Sequence, residues 1–228
     1  MTSLRVSELF ASLQGEGVSA GLPASFLRLG DCNLNCSYCD TPYSWDWRQF
    51  DRKIELIDED PLVTAARIRA LTPRRLVITG GEPLLQQEAL EELVTELSEF
   101  TVEVETNGTI VPSASLSHRV AQWNVSPKLS NSGIPEAQRL KTGALTALRD
   151  TERAWLKWVV VARNDLEEIL RWVTALQWPT ERVILMPEAK CPSQLAERSI
   201  LVAEAAMQYG FRFSTRLQLL LWGNERGK

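Results

Sequence analysis

From Ala24 onward, short apolar or β-branched runs alternate with longer amphipathic stretches, and this alternation constrains the fold more than any other feature. Ala24–Leu29, Arg75–Thr79, Val102–Glu105, Val120–Val125, Leu156–Val161, Arg182–Met186 and Leu217–Leu221 read as strands. Pro61–Leu71, Gln86–Phe100, Pro135–Leu148, Asp165–Gln177 and Ser193–Tyr209 read as helices. In Gln86–Phe100, residues Ala89, Leu90, Leu93, Val94 and Leu97 recur at the spacing of one helical face. Asn164-Asp165 and Cys191-Pro192-Ser193 supply helix starts and Gly210 a stop. Strand–helix alternation predicts a mainly parallel sheet covered by helices. Six or seven strands are too few for an eight-unit barrel. The expected fold is therefore α/β, a partial TIM-type barrel of about six parallel strands with outer helices, in one domain spanning residues 1–228. Chemistry in such folds gathers at the C-terminal strand ends.

Composition narrows the function classes. The chain has 228 residues, 44% hydrophobic and 24% charged, with a net charge of −4, as in an ordinary soluble globular protein. No apolar run is long enough to span a bilayer, so no membrane partner is expected. The opening Met1–Arg5 carries no apolar signal segment, so a cytoplasmic location is expected. No basic run exceeds Arg74-Arg75, which argues against nucleic acid as a partner.

Three of four cysteines, Cys32, Cys36 and Cys39, fall within eight residues, and Cys191 lies far beyond. Under reducing conditions such a cluster points to a metal or iron–sulfur site rather than a disulfide framework. A structural zinc site wants four protein ligands, and only His118 and Cys191 are candidates for a fourth. A four-iron cluster held by three cysteines instead leaves one iron open to a ligand.

Polar motifs follow each strand. Thr79-Gly80-Gly81-Glu82-Pro83 combines close backbone approach with Glu82, an acceptor suited to an ammonium group, although alone it describes a tight turn. Glu105-Thr106-Asn107-Gly108 presents a strand-end carboxylate, and Glu105 is a candidate pocket residue. Ser126-Pro127-Lys128 offers a hydroxyl, a fixed turn and a cation, which alone would read as a solvated surface charge. Leu13-Gln14-Gly15-Glu16-Gly17 is a polar, flexible loop and a weak phosphate signal. Arg28, inside the apolar run Phe26–Leu29, needs a partner. Its fork suits a ligand carboxylate, and an internal ion pair is the alternative.

The cysteine triplet, with Tyr38 before its last member, resembles the signature of the radical S-adenosylmethionine (SAM) superfamily. The resemblance implies a [4Fe-4S] cluster ligated by Cys32, Cys36 and Cys39. SAM would chelate the fourth iron, and its one-electron cleavage would yield a 5′-deoxyadenosyl radical. Within that superfamily, the Leu-Gln-Gly-Glu-Gly loop, Phe-Leu-Arg-Leu-Gly, Cys39-Asp40-Thr41, Thr-Gly-Gly-Glu-Pro, Glu-Thr-Asn-Gly and Ser-Pro-Lys, in this order, resemble the 7-carboxy-7-deazaguanine synthase family. The resemblance runs from about Ser7 to Lys128.

It implies a carbon–nitrogen lyase that converts 6-carboxy-5,6,7,8-tetrahydropterin to 7-carboxy-7-deazaguanine with loss of ammonia, in queuosine and 7-deazapurine biosynthesis. The radical would take hydrogen from C6 of the pterin and return it. By matching position, Leu13, Gln14, Gly15, Glu16, Arg28 and Thr79 would line the substrate pocket, with Arg28 on the substrate carboxylate. Tyr38, Cys39, Asp40, Gly81, Ser126, Pro127 and Lys128 would contact SAM, and Thr41 would ligate Mg2+. A homodimer and an electron donor such as flavodoxin or ferredoxin are implied as well.

Two other readings compete: a glycyl-radical-enzyme activase within the same superfamily, and a non-catalytic zinc or iron–sulfur module. The tail Trp222–Lys228 matches no motif, and Met186-Pro187-Glu188 is a weak candidate for a SAM contact. Cys191 reads as a non-ligand thiol and His118 as a surface residue. Trp155, Trp158 and Trp172 read as core or interface, and Trp45 and Trp47 as caps of the cysteine loop.

Overall fold

The computed structural model describes residues 2–228. One mixed sheet runs through the chain. Its strands are β1 (Leu4–Leu13), β2 (Pro23–Leu29), β3 (Ile57–Glu59), β4 (Arg75–Gly80), β5 (Thr101–Thr106), β6 (Gln122–Val125), β7 (Ala154–Val160), β8 (Val183–Pro187) and β9 (Arg212–Phe213). The order is β3-β1-β2-β4-β5-β6-β7-β8-β9, and the two ends of this series do not pair, so the barrel is partial. From β2 through β9 every neighbouring pair is parallel, whereas β1 is antiparallel to both β2 and β3.

The expected α/β architecture stands, with two strands added at one edge, β1 and β3, and the two-residue β9 at the other. Strand β1 is absent from the sequence reading because Ser7 and Glu8 interrupt its apolar run. Its register shifts between Val6 and Glu8, at a bulge. Strand β3 is three residues long and shows no pattern of its own.

The helices are α1 (Arg52–Glu55), α2 (Pro61–Arg69), α3 (Gln87–Glu96), α4 (Ala114–Arg119), α5 (Glu136–Arg139), α6 (Thr142–Arg149), α7 (Asp165–Ala175), α8 (Pro192–Tyr209) and α9 (Leu217–Trp222). Local chemistry sets several ends. Asp60 accepts from Leu62 N ahead of Pro61, Ser113 caps α4, and left-handed Gly210 ends α8.

Two expectations need correction. Leu217–Leu221 is helical, because an unbroken apolar run has no period to choose between states, and one buried residue, Leu219, anchors it. Pro135–Leu148 divides into α5 and α6 because Leu140 and Lys141 adopt extended backbone.

The main core lies between the sheet and the helices. It joins Leu27, Ile78, Val104, Trp123 and Trp158 to Leu90 and Leu93 of α3 and Ile169 of α7. Trp158 is fully buried, Trp172 packs against this core from its margin, and the Arg212 guanidinium lies over the half-buried Trp155 ring. Among the described residues, no helix is long and apolar enough to cross a membrane.

Candidate active site

A cavity of about 260 Å³ opens at the C-terminal ends of the parallel strands. Leu13, Gln14, Gly15 and Glu16 reach it from the loop after β1, Arg28 from β2, and Thr79 and Gly81 from the end of β4. The loop after β2 contributes Cys32, Cys36, Tyr38, Cys39, Asp40 and Thr41. Ser126 and Lys128 follow β6, while Pro127 between them is buried and off the wall. Glu105, Met186 and Glu188 also line the cavity.

The cysteine loop sits against the double glycine. A Cβ on Gly80 would stand 2.1 Å from the Leu29 carbonyl oxygen, and one on Gly81 2.0 Å from that of Asp31. Only glycine admits this approach, and Gly80 has φ of 137°. Glu82 N then donates to the Asp31 carbonyl at 2.9 Å, which fastens the loop to β4.

All three thiols are free and half-exposed. The Trp45 indole N–H donates to Cys39 Sγ at 3.2 Å and Leu34 N to Cys32 Sγ at 3.4 Å. The Trp47 indole donates to Asp31 Oδ1 at 3.0 Å. Burial pushes the Cys32 thiol up to about 12 and raises Cys36 as well, so metal loading must displace their protons. Among the described residues, no three His, Cys, Asp or Glu side chains converge on a single ion position. Three thiols on one loop that do not share one centre suit a cluster with one iron per cysteine better than a tetrahedral ion. Cys191 caps α8 beside Ser193, and neither it nor His118 lines the cavity.

Glu82 departs from expectation. Its carboxylate is buried and accepts from Leu84 N (3.0 Å), Asn107 N (2.7 Å) and Thr106 Oγ1 (2.8 Å), so it is not offered to an ammonium group in the cavity. Burial pushes its pKa up despite these donors. Its work is to tie the β4 end to the β5 end.

Polar networks order the substrate-facing wall. Glu105 of β5 accepts from Gln14 Nε2 (3.1 Å) and Thr79 Oγ1 (2.8 Å), joining three strand ends. Glu16 pairs with Lys157 of β7, with Arg216 Nε at 3.0 Å and with Gln218 Nε2 at 2.7 Å. Burial opposes ionisation of Glu16, yet Lys157 and Arg216 hold it well below the usual carboxylate range. The same pairing more than offsets the burial that would lower Lys157. Arg28 Nε meets Glu8 Oε2 at 2.6 Å, and the Tyr43 hydroxyl donates to the same oxygen at 2.9 Å.

Comparison with known proteins gives the family. Residues 28–119 match the Radical SAM superfamily. The 7-carboxy-7-deazaguanine synthase of Pyrobaculum aerophilum is 42% identical over 227 residues, covering 99% of this chain and 97% of that protein. The chain belongs to the 7-carboxy-7-deazaguanine synthase family. The namesake enzymes of Hyperthermus butylicus and Halobacterium salinarum share 36% and 34% identity, over 96% and 97% of this chain and 93% and 91% of theirs. QueE from Escherichia coli has the same fold, with a TM-score of 0.73 at 24% identity over 94% of each chain. Streptococcus suis SuiB bound to S-adenosylmethionine shares the fold more distantly, with a TM-score of 0.54 at 13% identity over 81% of this chain and 48% of that one. Membership in the superfamily implies a [4Fe-4S] cluster and SAM, and the donors of the cysteine loop fit the cluster.

Among the wall residues that the sequence reading missed are Asn124, Lys157, Arg216, Gln218 and Lys228. Lys157, in the middle of the apolar run Leu156–Val161, carried the same signal as Arg28, a charge inside a strand. The C-terminal residues carried none. They arrive through tertiary contacts, with Arg226 stacked 3.6 Å over the Tyr43 ring and bonded to Glu8 and Glu55.

Proposed function

We propose that this radical SAM lyase converts 6-carboxy-5,6,7,8-tetrahydropterin to 7-carboxy-7-deazaguanine with loss of ammonia, in queuosine and 7-deazapurine biosynthesis. The observation that carries this reading is one shared cavity. The cysteine loop and the Leu13–Glu16 loop face the same cavity, so a radical formed beside the one would meet a substrate held by the other. Relatives 42%, 36% and 34% identical over nearly the whole chain, all 7-carboxy-7-deazaguanine synthases, disfavour a glycyl-radical-enzyme activase.

Arg28 takes the substrate carboxylate. Its Nε is occupied by Glu8, and among the described residues its two Nη groups have no hydrogen-bond partner, so a planar donor edge is left for a ligand. Leu13, Gln14, Gly15, Glu16 and Thr79 shape the rest of the substrate pocket. Glu16, kept ionised by Lys157 and Arg216, accepts N–H groups of the pterin.

Cys32, Cys36 and Cys39 hold the cluster, while Tyr38, Cys39, Asp40, Gly81, Ser126 and Lys128 form the SAM side, with buried Pro127 fixing the turn between the last two. When bound, the cluster and SAM supply one-electron, hydrogen-abstracting chemistry. This chain's residues fix the distance between the two ligands and shield them from water. The Thr41 hydroxyl, on the cavity wall, is a Mg2+ ligand. A homodimer, a cytoplasmic location and a flavodoxin- or ferredoxin-type electron donor belong to the same proposal.

The test is an anaerobic assay of cluster-reconstituted protein with reductant, SAM, Mg2+ and the carboxytetrahydropterin, read by mass spectrometry. Formation of 7-carboxy-7-deazaguanine is expected. Formation of 5′-deoxyadenosine without it would overturn the substrate assignment.

A further inference from the structure

The loop that carries Glu16 is held by a segment some 200 residues away in the sequence. Gly17 N donates to Ser214 Oγ at 2.8 Å, and Leu217 N donates to the Gly15 carbonyl at 2.9 Å. Gln218 Nε2 and Arg216 Nε both reach Glu16 Oε1, at 2.7 and 3.0 Å. A Cβ on Gly15 would stand 1.8 Å from Gln218 Oε1 and 3.1 Å from Gln218 N, so the Gln218 side chain lies directly over the glycine. Residues 214–218 therefore fasten the loop along its length.

Arg216 does more than its neighbours. Its guanidinium is buried, and it also donates to the Ala189 carbonyl beyond β8 and to Asp40 Oδ2, next to Cys39. One rigid, planar group thus spans the substrate-facing loop and the SAM-facing part of the cysteine loop. Burial would lower the Arg216 pKa, but Glu16 and Asp40 raise it, so the bridge stays charged.

We propose that Arg216 is a positioning residue that sets the substrate loop against the cysteine loop, so that hydrogen abstraction stays coupled to product formation. This rests on the function proposed above. Although Arg216 reaches the cavity wall, in this role it acts through Glu16 and Asp40. A displacement of about 1 Å between reacting partners costs on the order of a hundredfold in rate, so a loosened bridge shows as uncoupling. Lysine keeps the charge but has no fork with which to reach both carboxylates.

The test is Arg216→Lys, with Asp40→Asn as the second variant because it changes the far end of the bridge, and SAM affinity is measured beside it because Asp40 also stands on the SAM side. In protein without cluster or SAM, hydrogen exchange should quicken together at the amides of Gly15–Gly17 and Asp40–Thr41. In reconstituted enzyme, the ratio of 5′-deoxyadenosine to 7-carboxy-7-deazaguanine should rise about tenfold or more. Asp40→Asn should give a similar rise, and the double variant no further rise, because both changes cut one link. An unchanged ratio in Arg216→Lys, or additive effects in the double variant, would overturn the proposal. If Arg216→Lys fails to fold, Asp40→Asn decides by the same ratio. If the wild-type enzyme forms no 7-carboxy-7-deazaguanine, the functional reading fails, while the exchange experiment still decides whether Arg216 links the two loops.

Discussion

Arg28 and Glu8 stand directly opposite each other on antiparallel β2 and β1, with Nε 2.6 Å from Oε2. The pairing orients a charge in an apolar strand and leaves its Nη edge free for the proposed substrate carboxylate. Arg28→Ala should raise KM for the pterin at least tenfold, while SAM binding, measured by equilibrium titration, stays at the wild-type level. Glu8→Gln should produce a smaller rise, since the fork loses its brace but not its charge. Normal turnover of Arg28→Ala at low substrate would remove Arg28 from the clamp role.

Glu16 makes stability depend on acid. Its folded pKa is depressed by Lys157 and Arg216, so its contribution is present above the unfolded value of 4.5 and is lost as pH falls below it. Glu8, braced by Arg28, acts in the same direction despite its partial burial. Urea midpoints should therefore drop on acidification from pH 4.5 downward, and the drop should be shallower in Glu16→Gln. Removing one cation by Lys157→Ala should lower stability at neutral pH, by less than the ~3–5 kcal/mol of a fully unpaired buried charge, because Arg216 and Gln218 still reach Glu16.

Each of Cys32→Ala, Cys36→Ala and Cys39→Ala should lower bound iron and bleach the iron–sulfur chromophore of reconstituted protein, because the cluster depends on all three thiolates. Cys191→Ala should leave both unchanged, since Cys191 is off the cavity. Iron analysis beside the absorbance spectrum checks both outcomes.

Glu82→Gln tests the corrected role of that residue. The carboxylate accepts three hydrogen bonds in a fully buried setting. An amide brings an NH2 group against at least one of those donors, so a loss of about 1–3 kcal/mol in stability is expected, read by thermal or urea unfolding.

Thr41→Ala should raise the Mg2+ concentration needed for half-maximal product formation without changing bound iron, because few protein ligands hold such an ion and the loss of one is felt.

The parallel layers of the fold were legible because β2 and β4–β8 are short, apolar and separated by amphipathic helices, a periodicity that survives any detail of packing. Strand β1 was not, since its apolar positions are interrupted at Ser7-Glu8 and only pairing with β2 and β3 makes it extended. The Leu217–Leu221 run misled for the opposite reason, being apolar without a period.

For the site, chain proximity alone brings Cys32, Cys36 and Cys39 together and places Thr79, Glu105 and Ser126 at strand ends, so these were visible in the sequence itself. Glu82 was visible as a residue but not as a direction. Whether its carboxylate faced the cavity or the neighbouring strand depended on the β5 backbone offering Asn107 N.

The sequence by itself determined the α/β class, the cysteine loop and the order of motifs along one rim, because these depend on spacing within tens of residues. Tertiary structure alone decided the partners of the charges. Glu16 meets Lys157 and Arg216 across 141 and 200 residues. Contacts at such separations follow from sheet order and from where the chain returns after β9, and no local pattern encodes them.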